Sequence, residues 1–383
     1  KVKNYRSIKD EQVLTMVKSK AKELEDTNTF ITPEKKKPIK LLNSATIYGP
    51  NASGKSNLLK AMQTMQKIVL NSDSKIKRGS KLPITPFLLD NDTKEQATEF
   101  EIIFVAQKVR YQYGFILNNE IILEEWLYAF PEGAAQTWFE RNYNKETEVN
   151  DWYFGSKFTG NKKIWSESTR DNALFLSTAI QLNSEQLQPI YDWFNNSFHV
   201  LESTARLDPN FTYDLYQQEK YKKEINRFLS IADLDIEELK ITEEDFDSSK
   251  LPSDIPDDIK NKICEDMKDK KLLDVSSVHK SIQGEDVYFD FNEESDGTKK
   301  FVAFIGPWID TLEKGNVLVI DELHDNFHPL MVRFLIELFH SKEINKNNAQ
   351  LIFTSHETSV MTQEIFRRDQ IWFCEKKNKA TEL

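Results

Sequence analysis

The sequence has little cysteine, little glycine and no long apolar run. Only two of its 383 residues are cysteine, and Cys264 and Cys374 lie far apart along the chain. This favours reduced thiols over a disulfide or a metal pair. No apolar stretch approaches the roughly 18–20 residues that span a bilayer, and no secretory leader is visible. We therefore expect a soluble, cytoplasmic protein without membrane contact, and the first residue, Lys1, leads us to expect a missing N-terminal piece.

An excess of positive charge is also absent. The chain has 51 Lys and Arg against 62 Asp and Glu, a net charge of -11. This balance argues against a strongly basic surface for DNA, so nucleic-acid binding stays open without being indicated. The densest cationic run, PEKKKPIK at residues 33–40, is read as a solvated loop in preference to a nucleic-acid or partner contact.

Two of the eleven glycines stand in the stretch GPNASGKS, which fits the P-loop pattern G-x-x-x-x-G-K-[ST]. Gly49 and Gly54 let backbone N–H groups turn inward toward an anion. Lys55 adds a positive charge for the outer phosphates, and the Ser56 hydroxyl can occupy one Mg²⁺ position. An apolar stretch precedes the motif and a helical pattern follows it, which favours ATP binding over a simple Gly/Ser turn. The predicted ATP-binding residues here are Gly49, Pro50, Asn51, Ala52, Ser53, Gly54, Lys55, Ser56 and Asn57.

The pattern along the chain predicts an α/β fold with three regions. Residues 1–130 contain the P-loop and, from Thr98, alternating segments typical of an antiparallel β lobe. Residues 131–283 are predicted to be a mainly helical insertion, which includes an acidic loop at 243–262. Residues 284–383 contain the buried strands NVLVIDE and AQLIFTSHE between helices, which indicates a parallel or mixed central sheet.

Both buried strands end in polar residues that suit the chemistry of a phosphate site. NVLVIDE places Asp321 at the carboxyl end of a central strand beside the phosphate cradle, where it would help hold Mg²⁺. Glu322 would orient or deprotonate the attacking water, although both acids could simply end a strand. His356 could hydrogen-bond the γ-phosphate and sense its loss, and the alternative is a structural histidine.

The order of these parts resembles the ABC-type ATPases of the SMC/RecF/OLD group. In that group DELHDNFHP is similar to the Walker B and D-loop stretch, and ESDGTKK occupies the place of the signature. Ser295 and Gly297 match the signature serine and second glycine, while Glu294, Asp296 and Thr298 depart from L-S-G-G-Q. The resemblance implies that the signature residues Ser295, Asp296, Gly297 and Thr298 reach the ATP of a second copy, and that Arg6 lies on the first strand near the nucleotide.

Longer stretches, among them EEWLYAF, NALFLSTAIQLN and WFCEKK, resemble the RloA/AbiL-type ATPases of bacterial phage defence, and the ATPase subunit of the PARIS system is similar. This resemblance implies ATP and Mg²⁺ as cofactors, a homo-oligomer joined through the ATP sites, and a protein effector such as an RloB-like, toxin or nuclease subunit. The implied function is a nucleotide-driven switch or scaffold in abortive infection.

Two other functions remain open from the residues. The chain could be a RecF- or SMC-like DNA-binding ATPase in repair, or the ATPase subunit of a nuclease complex. The acids of DVYFDFNEES, which are Asp286, Asp290, Glu293 and Glu294, could form a metal cluster. We instead expect them at exposed positions of an edge strand and its loop.

Overall fold

The structure, a computed structural model, describes residues 1–201, 207–232, 235–245, 256, 258–260, 262, 264, 271–324 and 327–383. Most of the acidic segment at 243–262 therefore lies outside the described residues. The chain divides into two compact units, one formed by Lys1–Thr204 with Asp310–Leu383 and the other by Ala205–Ile309. Among the described helices, none combines the length and the apolar character that crossing a membrane requires.

A five-stranded, fully parallel sheet lies in the first unit. Its spatial order is β10 (Phe198–Leu201), β14 (Val317–Ile320), β15 (Gln350–Ser355), β4 (Ser44–Tyr48) and β16 (Ile371–Phe373). All five residues of β4 are buried, as are the last five of β15, which is typical of parallel strands covered on both faces. The carboxyl ends of these strands meet at one edge of the sheet, which collects the residues that follow them.

A six-stranded antiparallel sheet also belongs to the first unit. Its order is β1 (Val2–Lys3), β5 (Thr98–Ala106), β6 (Val109–Leu117), β7 (Ile122–Ala129), β8 (Gln136–Asn144) and β9 (Val149–Phe154). β5, β6 and β7 form the antiparallel meander that the alternating pattern from Thr98 predicts. β8 and β9 continue this sheet, although they lie in the segment predicted to be mainly helical. The predicted boundary at residue 130 falls between β7 and β8, which are neighbours in this sheet.

The remaining elements of the first unit are short, except for two helices. The short strands form two hairpins, and the helices include the one after the P-loop. These elements are β2 (Thr29–Ile31), β3 (Lys40–Leu42), β17 (Glu375–Lys377), β18 (Ala380–Glu382), α1 (Glu25–Asn28), α2 (Lys55–Asn71), α3 (Lys162–Ser168), α4 (Phe175–Gln181), α5 (Gln188–Asp192), a π-helical turn (Trp193–Ser197) and α9 (Pro329–His340).

An aromatic core lies between α2 and the antiparallel sheet. The ring of Phe104 stacks on Trp193 with centroids 4.1 Å apart, and Trp193 stacks on Phe198 at 5.0 Å. Leu58, Leu59, Met65, Ile68 and Val69 bury one face of α2 in the same cluster, at the helical spacing of the sequence. The helix that begins at the P-loop is thus fixed along its length.

The second unit contains α6 (Asn210–Tyr216), α7 (Glu219–Ile231) and a three-stranded antiparallel sheet in the order β11 (Glu238–Asp245), β12 (Lys271–Lys280), β13 (Asp286–Asp290). α8 (Asp296–Lys314) begins in this unit. Residues 131–283 thus contain β8 to β12 as well as α3 to α7. The expected fold class, mixed α/β with a parallel sheet and antiparallel sheets, is confirmed.

Candidate functional site

The P-loop connects β4 to α2 by a tight turn whose two glycines have no room for a side chain. A Cβ on Gly49 would lie 2.2 Å from the carbonyl oxygen of Cys374, and one on Gly54 would lie 1.9 Å from Thr381 Oγ1. Gly54 also has φ 109°, a left-handed conformation that glycine adopts readily, and Ala52 has φ 63°. Pro50 and Asn51 form the outer part of the turn, where Asn51 is exposed. The glycine spacing therefore has a steric cause in this fold.

Lys55 and Ser53 supply polar groups inside this turn. Lys55 is the first residue of α2, its side chain is buried, and its Nζ donates to the carbonyls of Gly49 (2.6 Å) and Pro50 (3.1 Å). Ser53 is buried, and its hydroxyl has no hydrogen-bond partner within the described ranges. Ser56 follows in the first turn of α2, where the N–H groups have no intrahelical acceptor. The donor set of the turn suits an anion such as a phosphate.

Both ends of the chain hold the P-loop from outside through a chain of hydrogen bonds. Thr381 Oγ1 donates to the carbonyl of Ser53 over 2.9 Å and lies 2.7 Å from Ser7 Oγ. Asn57 Nδ2 in turn donates to Ser7 Oγ over 2.7 Å. Because the Thr381 proton is directed at Ser53, the Ser7 hydroxyl must donate to Thr381, so the donors run from Asn57 through Ser7 and Thr381 to Ser53. The P-loop motif does not predict the roles of Ser7 and Thr381, because neither residue belongs to a local sequence pattern.

Arg6 lies in the turn after β1, not on the strand where the sequence placed it. Its φ is 51°, its side chain is exposed, and its backbone N–H donates to the carbonyl of Thr85 over 2.8 Å. The guanidinium Nε donates to the Tyr5 hydroxyl over 3.0 Å. Arg6 therefore directly precedes Ser7, whose hydroxyl is part of the hydrogen-bond chain that supports the P-loop. A contact between Arg6 and a nucleotide stays a prediction.

The carboxylates Asp321 and Glu322 follow β14 and are held by the neighbouring strand. Thr354 Oγ1 donates to Asp321 Oδ1 over 2.6 Å and accepts the backbone N–H of Glu322 over 2.7 Å. Glu322 has φ 54°, a strained conformation for a non-glycine residue. Since β15 lies between β14 and β4, one strand separates the carboxylates from the P-loop strand at the same sheet edge.

His356 follows β15 at this edge and contacts a second histidine. Its Nε2 lies 3.1 Å from Nε2 of His324, whose Nδ1 lies 3.2 Å from the Ser355 hydroxyl. His356 itself is exposed, whereas Ser355 is buried. The adjacent Glu357 accepts the backbone N–H of Ser359 over 2.8 Å, and this hydrogen bond is the largest cause that lowers the pKa of the Glu357 carboxyl. The edge therefore combines two imidazoles with an ionised carboxylate.

Two ionisable groups beside the P-loop are uncharged at neutral pH, and burial moves the pKa of each further above neutrality. Tyr48 ends β4, and burial raises the pKa of its phenol to about 12. Burial also raises the pKa of the Cys374 thiol, which donates to the carbonyl of Ser53 over 3.5 Å. Positive charge in this part of the site is consequently not neutralised by a thiolate or a phenolate.

The signature residues lie in the second unit, around the start of α8. Ser295 Oγ accepts the backbone N–H of Thr298 over 3.1 Å, which caps the helix that begins at Asp296. Ser295 and Asp296 are exposed, Thr298 is buried, and Gly297 lies in the first turn. The residues thus form the expected turn before a helix, and their contact with the ATP of a second copy stays a prediction.

The acidic residues near the signature show no metal cluster. β13 is an edge strand, and Asp286, Asp290 and Glu293 are exposed, as expected. Glu294 differs from this expectation, because it is half-buried and its Oε1 lies 2.8 Å from Nε2 of His279. In the part of the chain that the structure describes, no group of three or more His, Cys, Asp or Glu could hold a metal ion. A P-loop site needs no such group, because Mg²⁺ there takes one or two protein oxygens, phosphate oxygens and water. The Ser56 hydroxyl and the Asp321 carboxylate are oxygen ligands of the kind that Mg²⁺ takes in such a site.

Asp325 and Asn326 of the D-loop stretch lie outside the described residues.

A parallel sheet with a P-loop after one strand, and an Asp-Glu pair two strands away at the same edge, defines a P-loop nucleotide-binding domain. The chain belongs to the family described as "AAA domain, putative AbiEii toxin, Type IV TA system", which matches over residues 44–362. That family implies nucleotide binding. Among curated proteins, none matches this sequence. One solved structure, titled "Structure of the recombination mediator protein RecF-ATP in RecFOR pathway", is 15% identical over 94% of this chain and 92% of its own, with a TM-score of 0.29.

Proposed function

We propose that this chain is an ABC-type ATPase that acts as a nucleotide-driven switch, and that it controls a protein effector in abortive-infection defence against phage. The observation that carries the ATPase part is that the polar residues after three parallel strands lie at one edge of the sheet. They are Lys55 in the P-loop, Asp321 and Glu322, which Thr354 holds by hydrogen bonds, and His356. The defence part is supported by the family description, which names a toxin and a type IV toxin–antitoxin system, and by the resemblance to RloA/AbiL-type ATPases.

Each residue of the site has a role in this proposal. The P-loop from Gly49 to Asn57 binds the phosphates through its N–H groups, and Lys55 neutralises the outer ones. Mg²⁺, held by Ser56 and Asp321, would neutralise charge that develops on the phosphates. Glu322 orients and deprotonates the attacking water, and His356 donates a hydrogen bond to the terminal phosphate.

The proposed switch needs a second copy of the chain. The resemblance implies that Ser295, at the start of α8, completes the site of a partner copy in a two-fold arrangement. Binding free energy for ATP then also stabilises the dimer, and hydrolysis weakens it. An effector that binds only one of these states is held or released according to the nucleotide.

The decisive experiment measures molar mass and co-purifying partners in the presence of ATP, of ADP and of neither. We expect ATP to favour an oligomer of at least two copies, and we expect the effector to associate with one nucleotide state only. The Lys55→Ala variant should show no ATP-dependent change. A mass and a partner set that are the same in all three conditions would contradict the switch.

DNA-binding and DNA-cleavage assays on the same purified protein test the two alternative functions. Tight DNA binding that falls steeply with salt would indicate a RecF- or SMC-like DNA-binding ATPase instead. DNA cleavage with Mg²⁺ or Mn²⁺ by the co-purified complex, and not by this chain alone, would indicate the ATPase subunit of a nuclease.

A further inference from the structure

Two histidines from neighbouring strands contact each other edge to face at the sheet edge. The ring centroids of His324 and His356 lie 3.8 Å apart at an interplanar angle of 79°, and their Nε2 atoms lie 3.1 Å apart. This distance is within hydrogen-bond range, so one Nε2 donates and the other accepts when both rings are neutral. His324 comes three residues after Asp321, within the stretch DELHDNFHP, but the sequence alone assigns it no role.

The backbone at the end of β14 brings His324 to this position. Ile320 pairs with Phe353 in the parallel register, and the chain then turns at Glu322, where φ is 54°. The N–H of Leu323 donates to the carbonyl of Thr354 over 3.2 Å, so the chain stays against the end of β15. The conformation of Glu322 thus directs His324 back over Ser355, and the His324 position depends on the same turn that presents the proposed catalytic carboxylate.

We propose that His324 is a positioning residue that fixes the tautomer of His356. In this arrangement the Ser355 hydroxyl donates to His324 Nδ1, and His324 Nε2–H donates to His356 Nε2. The remaining proton of a neutral His356 then lies on Nδ1, which directs one N–H donor away from His324 and toward the proposed terminal phosphate. This inference deepens the proposed function and rests on it for the identity of the phosphate.

The distances also allow the hydrogen bonds between Ser355, His324 and His356 to run in the opposite direction, so an experiment can distinguish the two arrangements. The Ser355 hydroxyl has a second acceptor, the carbonyl of Glu357, at 3.3 Å. If its proton goes there, His324 Nδ1–H donates to Ser355, His356 Nε2–H donates to His324, and Nδ1 of His356 carries no proton. Only the first direction leaves the neutral His356 with a donor for a phosphate while it contacts His324.

The tautomer can be measured directly by ¹⁵N NMR of the full chain labelled at histidine. The chain has six histidines, and His356→Gln and His324→Gln variants assign the two signals of interest. We expect His356 to be protonated at Nδ1 and His324 at Nε2. In His324→Ala, His356 should become a mixture of both tautomers. The reverse assignment in the unmutated protein, or an unchanged His356 in His324→Ala, would overturn the proposal.

Steady-state ATP hydrolysis gives a second, independent readout. We expect His324→Ala to lower kcat about tenfold with little change in KM, as for other groups that orient a histidine. His324→Gln, whose amide N–H can replace the donor to His356, should restore much of kcat. His199→Gln is the matched control, because His199 lies on β10 at 3.2 Å from Asn316 and does not contact His356 in the described contacts. Equal losses in the Ala and Gln variants would overturn the positioning role.

Failure of this inference can be told apart from failure of the proposed function. If the unmutated protein hydrolyses no ATP, the proposed function fails, while the NMR experiment still decides the tautomer. If hydrolysis is present but His324→Ala keeps full kcat and the His356 tautomer, the ATPase stands and the role of His324 is refuted.

Discussion

The hydroxyl of Thr354 donates to the carboxylate of Asp321 over 2.6 Å, so the end of β15 holds the carboxylate that follows β14. The same oxygen accepts the N–H of Glu322 over 2.7 Å and thereby supports its strained backbone. The buried side chain of Thr354, on β15, therefore orients both acids of the proposed site, although the acids themselves follow β14.

Replacement of Thr354 by valine removes both hydrogen bonds and keeps the shape of the side chain. We expect kcat for ATP hydrolysis to fall roughly 10- to 100-fold, because groups that orient a metal ligand typically have effects of this size. Thr354→Ser keeps the hydroxyl and should retain most of the activity. A Thr354→Val variant with normal kcat would show that Asp321 and Glu322 need no support from β15.

Lys55 is the charge that the P-loop offers to a nucleotide. Its Nζ is held by the carbonyls of Gly49 and Pro50 inside the turn. We expect Lys55→Ala to abolish ATP binding in isothermal titration calorimetry, and Lys67→Ala, which changes an exposed lysine of the same helix, to leave it intact. Near-normal ATP affinity in Lys55→Ala would refute the assignment of the cradle.

The sequence predicts the parts of this site that are contiguous in the chain. The P-loop at 49–57 and the strand-terminal acids are recognisable because their function requires consecutive backbone groups or a fixed place after a buried strand. The mixed α/β class follows for the same reason, since periodicity is a local property.

The other parts depend on tertiary contacts that no local pattern encodes. Ser7 and Thr381 come from opposite ends of the chain and meet only in the folded protein. The contact of His324 with His356 requires the strand order β14–β15 and the turn at Glu322. The continuation of the antiparallel sheet through β8 and β9 is likewise a matter of strand pairing, since each of these strands could have begun a new sheet.

Glu322 is the residue that the proposed mechanism requires for hydrolysis but not for binding. We expect Glu322→Gln to bind ATP and to accumulate as an ATP-bound oligomer, because water attack is slowed while the phosphate contacts remain. Size-exclusion chromatography with light scattering measures the oligomer, and Glu343→Gln, at an exposed position after α9, is the control. Unchanged hydrolysis in Glu322→Gln would remove this residue from the mechanism.

Thr381 links the C-terminal hairpin to the P-loop. The Thr381→Val variant interrupts the hydrogen-bond chain from Asn57 to Ser53 and leaves the buried Ser53 carbonyl without this donor. Loss of one such bond costs about 1 kcal/mol, so we expect ATP affinity to weaken roughly fivefold. Thr381→Ser should bind ATP like the unmutated protein. Equal affinities for all three proteins would mean that the hairpin does not stabilise the binding conformation.

His340 gives the fold a pH dependence that is separate from the site. It is buried at the end of α9, where its Nε2 lies 2.8 Å from Ser44 Oγ and accepts an N–H of Gln370 over 3.3 Å. Burial lowers the pKa of His340 from 6.5 to about 3, so the folded protein keeps the ring neutral. The unfolded chain binds this proton near pH 6.5, and its affinity for the proton favours unfolding at lower pH.

The stability that the folded protein gains from a neutral His340 is fully present above pH 6.5, and it is lost as the pH falls from 6.5 toward 3. Each pH unit in this window costs about 1.4 kcal/mol, which amounts to about 2 kcal/mol between pH 6.5 and 5. A His340→Gln variant lacks this loss, so its free energy of unfolding, measured by urea denaturation, should approach or overtake that of the unmutated protein at pH 5. Parallel pH dependences of the His340→Gln variant and the unmutated protein would show that His340 is protonated in the folded state near its usual pKa.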